Sequence, residues 1–110
     1  MTKAEYGIPK DYLDKLLGVI SRESRVEAIV LYGSRAKGNF RDGSDIDLCL
    51  DAPELDYSTL MRLEDEIDDL LLPWKIDLAV RQRIDNPELI SHIERVGKPL
   101  FKRGRGEVEG

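Results

Sequence analysis

The chain has 110 residues, 41% of them hydrophobic and 35% charged, with 17 Lys and Arg against 22 Asp and Glu for a net charge of −5. That length suits one domain, and the apolar share supports a core under a heavily charged surface, which excludes a disordered chain. The longest apolar stretch, Ala28 to Tyr32, falls far short of the roughly 18 residues of a membrane helix, and the acidic balance argues against direct nucleic-acid binding as the main role.

Leu13, Leu16, Leu17 and Ile20 fall on one helical stripe behind Pro9, which suits a first turn. After the polar link Ser21 to Arg25, the run Val26 to Tyr32 reads as a buried strand stopped by Gly33. Ser34 to Ser44 has no apolar period and reads as a loop with at most one helical turn. Asp45 to Leu50 alternates, with Asp45, Asp47 and Cys49 on one face and Ile46, Leu48 and Leu50 on the other. Asp56 or Ser58 can cap a helix whose buried stripe is Leu60, Leu63, Ile67, Leu70 and Leu71, ended by Pro73. Lys75 to Val80 repeats the alternation and makes a third strand, with Asp77 and Ala79 on its second face. Asn86-Pro87 opens a last helix, with Leu89, Ile90, Ile93 and Val96 inward and Gly97 at its end. Pro99 to Lys102 adds a short edge strand, and residues 103–110, rich in Gly and charge, read as a flexible tail.

Asp45, Asp47 and Asp77 sit in otherwise apolar strands, where Asp is disfavoured. Residues i and i+2 of a strand share a face about 6.7 Å apart, where two carboxylates repel by roughly 2.5 kcal/mol at an effective dielectric of 20. A divalent cation relieves that repulsion, and Mg²⁺ takes a few carboxylate oxygens plus substrate phosphates. If the third strand pairs beside the second, Asp77 joins the cluster. A solvent-facing strand face is the plainer alternative. Against it stands Gly33-Ser34, a small residue and a hydroxyl at a strand-to-helix turn, which offer donors to phosphate. Arg35, Lys37 and Arg41 add positive charge in the same segment.

Gly33-Ser34, ten residues, then Asp45-x-Asp47, with Asp77 on a following strand, resembles the signature of the DNA polymerase β-like nucleotidyltransferases. Leu31-Tyr32-Gly33-Ser34-Arg35-Ala36-Lys37-Gly38 and Ser44-Asp45-Ile46-Asp47-Leu48 are similar to the minimal nucleotidyltransferases (MNT), small prokaryotic proteins paired with a HEPN partner. The resemblance, which covers about residues 9–102 in element order, implies an α+β (α/β) nucleotidyltransferase fold, a small mixed sheet of three to four strands flanked by helices, in a single domain over residues 1–102. It also implies that Gly33 and Ser34 hold the triphosphate, with Arg35, Lys37 and Ser44 in the phosphate-binding set. Asp45 and Asp47 would ligate two Mg²⁺ ions, and Asp77 would ligate one and help activate the acceptor. The implied reaction is attack of a hydroxyl on the α-phosphate of ATP. The implied acceptor is a tyrosine of a cognate HEPN toxin, silenced by the transferred AMP, which makes the chain an antitoxin.

Two alternatives stay open: an antitoxin that covers its partner with little catalysis, and nucleotidyl transfer to a small molecule or an RNA end. The larger enzymes of the superfamily carry an added acceptor-binding domain for which no residues remain here, which favours a protein partner. A homodimer and a hetero-oligomer would each cover exposed apolar surface, and no residue decides between them. The single Cys49, which excludes an internal disulfide, and charges at Asp11, Asp14 and Lys15 where a secretory leader would be apolar make a cytoplasmic protein the expectation. His92 reads as a surface or half-buried helix position, Cys49 as a small hydrophobe and Trp74 as core or interface packing. The acidic run Glu64 to Asp69 reads as a solvated helix face that could also meet a basic partner.

Overall fold

A computed structural model describes residues 4–104. It opens with a ribbon, β1 (Ala4–Glu5) and β2 (Ile8–Pro9), reversed through Tyr6 and Gly7, at φ 57° and 76°. Two successive positive φ angles are what a two-residue I′ turn requires. The ribbon seals one end of the core, since Ile8 is completely buried.

Pro9 precedes α1 (Lys10–Ser21), whose Leu13, Leu16, Val19 and Ile20 are buried. Leu17, expected in the stripe, is only partly buried. The strands follow as β3 (Ala28–Tyr32), β4 (Ile46–Asp51), β5 (Ile76–Val80) and β6 (Lys98–Lys102), in the spatial order β5–β4–β3–β6. β3 pairs antiparallel with β4 and β6, whereas β4 and β5 run parallel. The parallel pair needs a crossover, supplied by α3 (Tyr57–Asp68). Asp56 caps that helix, its carboxylate accepting the Thr59 N–H at 2.9 Å, and the bond holds Asp56 below the usual carboxylate range.

Strand alternation sorts the sheet into two unlike faces. Ile29, Leu31, Ile46, Leu48 and Leu50 are fully buried and pack in one cluster with Leu13, Leu16 and Ile20 of α1 and Leu63 and Ile67 of α3. The other face carries Val30, Tyr32, Asp47, Cys49 and Asp77. It is covered only in part, by α4 (Pro87–Val96), whose Ile93 packs against Tyr32 and Cys49. Asn86 caps α4, its side-chain oxygen accepting the Glu88 N–H at 2.9 Å, with Pro87 in the first turn. The half-covered face leaves room for chemistry.

Two expectations change here. Leu71 is 86% exposed, because α3 stops at Asp68 and Leu71 turns to φ 55°, so the helical period no longer governs where its side chain goes. Leu70 and Leu72 pack on the core instead. Arg103, expected to open the tail, is anchored: its guanidinium donates to the carbonyls of Ser21, Glu23 and Val26 and lies over the Phe101 ring. The rest of the expected tail, from residue 105, lies outside the described residues. No helix among the described residues is long and apolar enough to cross a membrane.

Candidate active site

The register places Asp47 directly beside Asp77 across the parallel β4–β5 pair and beside Tyr32 across β3–β4. Asp45 lies just before β4, where the backbone leaves the 38–45 loop. Asp47 is half-buried and Asp77 and Asp45 are exposed, so the carboxylates descend from the sheet toward solvent. Burial raises the Asp47 carboxyl above its usual range, and the neighbouring charges of Asp77 and then Asp45 push it further in the same direction. Burial also pushes the Tyr32 phenol up to about 12, with Asp47 and Asp77 adding to the effect. The phenol is therefore neutral at ordinary pH. Cys49, two residues along β4, is 2% exposed with its thiol pushed up to about 11 by burial, and so is no nucleophile.

Gly33 begins α2 (Gly33–Lys37) at the end of β3, with φ 76°. A Cβ at this position would overlap the Asp47 Oδ2, so glycine is required both by the backbone and by the carboxylate pressed against it. Ser34 follows, half-buried at the same mouth. Gly33→Ala is expected to destabilise the fold by about 1–3 kcal/mol through the strained φ and to displace Asp47. Thermal melting together with a nucleotide-transfer assay checks this, and an active, equally stable alanine variant would contradict it.

His92 adds a contact that sequence reasoning missed. From the middle of α4 its Nε2 accepts the Gly33 N–H at 3.2 Å, and its ring meets Tyr32 edge-on at 6.2 Å between centroids. It is half-buried, as the sequence suggested, but it touches the glycine turn. Nothing local announces this, because the partners are 59 residues apart.

Arg35, expected to face a phosphate, points inward and is 2% exposed. Its Nε and one terminal nitrogen donate to the Ser44 carbonyl at 3.1 and 3.0 Å, and the other donates to the Tyr6 carbonyl at 2.9 Å. The guanidinium lies 5.0 Å from the Phe40 ring centroid and 5.7 Å from that of Trp74. Arg35 thus ties the loop before Asp45 to the N-terminal ribbon. Lys37 is exposed at the end of α2, and Gly38 closes that helix in the left-handed conformation. Ser44 turns its hydroxyl to the Arg41 N–H, which it accepts at 2.9 Å. Trp74 packs edge-on against Tyr12, partly buried at the margin of the core.

Asp45, Asp47 and Asp77 are the side chains that could hold Mg²⁺. Burial is the main cause of the raised Asp47 carboxyl, with the like charges of Asp77 and Asp45 adding to it, and a cation would relieve that repulsion. Among the described residues no three His, Cys, Asp or Glu side chains close on one point as a finished cage. Mg²⁺ does not need one, since substrate phosphates and water complete its octahedron.

A glycine-serine turn beside carboxylates on adjacent strands of a mixed sheet is the arrangement that the sequence resemblance implies. The family model described as polymerase beta, nucleotidyltransferase matches residues 14–105, and the chain belongs to that family. Among its relatives is MJ0128 of Methanocaldococcus jannaschii, named as a candidate protein adenylyltransferase, 35% identical over 77% of this chain and 87% of the relative. A second from the same organism, MJ1217, carries the same description at 33% identity over 77% of this chain and 87% of its own length. Among solved structures, a Shewanella oneidensis complex of an MNT antitoxin with a tri-AMPylated HEPN toxin superposes with a TM-score of 0.64 at 20% identity, covering 86% of this chain and 72% of that one. A toxin–antitoxin structure with AMP-PNP gives 0.65 at 23% identity, covering 89% and 77%. These superpositions establish the shared fold.

Proposed function

We propose that this chain transfers AMP from ATP to a hydroxyl-bearing side chain of a HEPN-type toxin and acts as its antitoxin. The observation that carries this reading is the pairing of Asp47 with Asp77 beside the Gly33 turn, in a chain whose relatives are named for protein adenylylation. The AMP-PNP and tri-AMPylated-toxin structures with the same fold support the choice of nucleotide and partner. A tyrosine is the acceptor hydroxyl we expect.

Gly33 and Ser34 would seat the triphosphate, Ser34 through its hydroxyl and Gly33 as the turn that carries it, since its own N–H is taken by His92, with exposed Lys37 at the rim. Asp45 and Asp47 would hold two Mg²⁺ ions, with Asp77 shared to one of them. Bound Mg²⁺ would neutralise charge that develops on the phosphates during in-line displacement. The acceptor oxygen forms a bond to the α-phosphorus, the bond from that phosphorus to the bridging oxygen breaks, and pyrophosphate leaves. The hydroxyl proton passes to a carboxylate, to which we assign Asp77, because of the two exposed aspartates it is the one on the edge strand β5, where an acceptor can approach. The protein's part is positioning.

The test is to incubate the purified protein with ATP, Mg²⁺ and a candidate HEPN-type partner, then read the partner's intact mass. A gain of one or more AMP units, lost with Asp45→Asn, is the expected result. A stable complex without any gain would replace catalysis by steric neutralisation, and release of pyrophosphate only with small acceptors or RNA would replace the partner.

A further inference from the structure

The N–H groups in the first turn of a helix have no partner within it, and a Ser, Thr, Asp or Asn at the preceding position normally supplies one. The residue before α2 is Tyr32, which makes no capping bond. The Gly33 N–H is taken instead by His92, from the helix that lies over the aspartate face. Accepting at Nε2 requires the imidazole to be neutral with its proton on Nδ1. Gly33 itself is pressed against the Asp47 carboxylate, so any rotation of its peptide is felt by both neighbours.

We propose that His92 is a positioning residue for the nucleotide. By taking up the Gly33 N–H it fixes the peptide plane that aims Ser34 at the triphosphate and keeps the Asp47 carboxylate in register. The inference rests on the adenylyltransferase reading and extends it to α4, which the signature residues do not include. It separates two roles the ring could have. As an acceptor, His92 matters through one nitrogen; as packing, it matters through its edge-on contact with Tyr32.

Two variants separate these roles. His92→Phe keeps a ring on Tyr32 and has no acceptor, while His92→Gln has an amide oxygen that can accept from Gly33 and no ring. The MgATP dissociation constant is measured by calorimetry, alongside melting curves and the Gly33 amide proton shift in a nitrogen-15 correlation spectrum. The expected result is about tenfold weaker binding for His92→Phe and recovery to within about threefold for His92→Gln, both melting near the wild type. The Gly33 amide proton should move upfield in the Phe variant and hold in the Gln variant. In transfer assays the Phe variant should raise KM for ATP more than it lowers kcat.

Binding by His92→Phe within about twofold of wild type would overturn the inference. So would a Gln variant as weak as the Phe variant with a matching loss of melting temperature, because that pattern belongs to ring packing. Failure of the wild-type protein to bind any nucleoside triphosphate would overturn the adenylyltransferase reading, and this inference with it. Wild-type binding with an indifferent Phe variant removes this inference alone.

Discussion

Asp47→Asn should lower AMP transfer by about three orders of magnitude, or about 4 kcal/mol of transition-state stabilisation, while leaving a folded protein that is more stable than wild type in metal-free buffer. The two effects have one origin. Burial raises the Asp47 carboxyl above the usual range and the charges of Asp77 and Asp45 add to the shift, so its ionised form is a cost to the metal-free fold. With a folded pKa above the unfolded one, the relative stability this group contributes is present below the ordinary carboxylate value and is lost as pH rises through the folded value. Subtracting the Asp47→Asn melting curve from that of wild type across that window isolates the effect from other carboxylates. Added Mg²⁺ should then raise the wild-type melting temperature and move the variant far less, because a ligand stabilises only the state that binds it. A variant with full transfer activity, or a wild type indifferent to Mg²⁺, would remove Asp47 from the metal site.

The aspartate arrangement was legible because strand alternation is a strict geometric rule. Within β4 Asp47 has only one face to occupy, and one further pairing brings Asp77 level with it, whereas Asp45, expected in the same strand, lies just before it. The Gly33 turn was legible because the apolar run stops at glycine, while its left-handed backbone, at φ 76°, comes from the structure. Arg35 was misread because its neighbours in sequence are polar and basic, while its neighbours in space are Phe40 and Trp74. Direction of a long side chain depends on partners far along the chain. His92 was hidden by the same cause, as its site role depends on how α4 lies across the sheet. Leu71 failed through helix termination: the leucine spacing continues past Asp68, but the α-helix tightens there into i→i+3 bonds, from the Leu70 N–H to Ile67 and from the Leu71 N–H to Asp68, and Leu71 takes a positive φ. The Tyr6 turn had only the following glycine as a signal.

Arg35→Ala should cost about 3 kcal/mol of folding stability and lower the melting temperature by roughly 10–20 °C. It removes the donors to the Ser44 and Tyr6 carbonyls and empties the space between the Phe40 and Trp74 rings. Arg35→Lys should recover little, because one ammonium cannot reproduce a planar fork that bonds two carbonyls while stacking on aromatic rings. Urea denaturation, read with MgATP affinity on the protein that stays folded, separates this role from a direct contact with phosphate. A phosphate ligand would lose affinity on truncation and leave stability nearly unchanged. A buried pin does the opposite, and its effect on transfer arrives through Asp45, the residue that follows Ser44. Arg35→Ala that melts like wild type and binds nucleotide more weakly would return this guanidinium to the substrate.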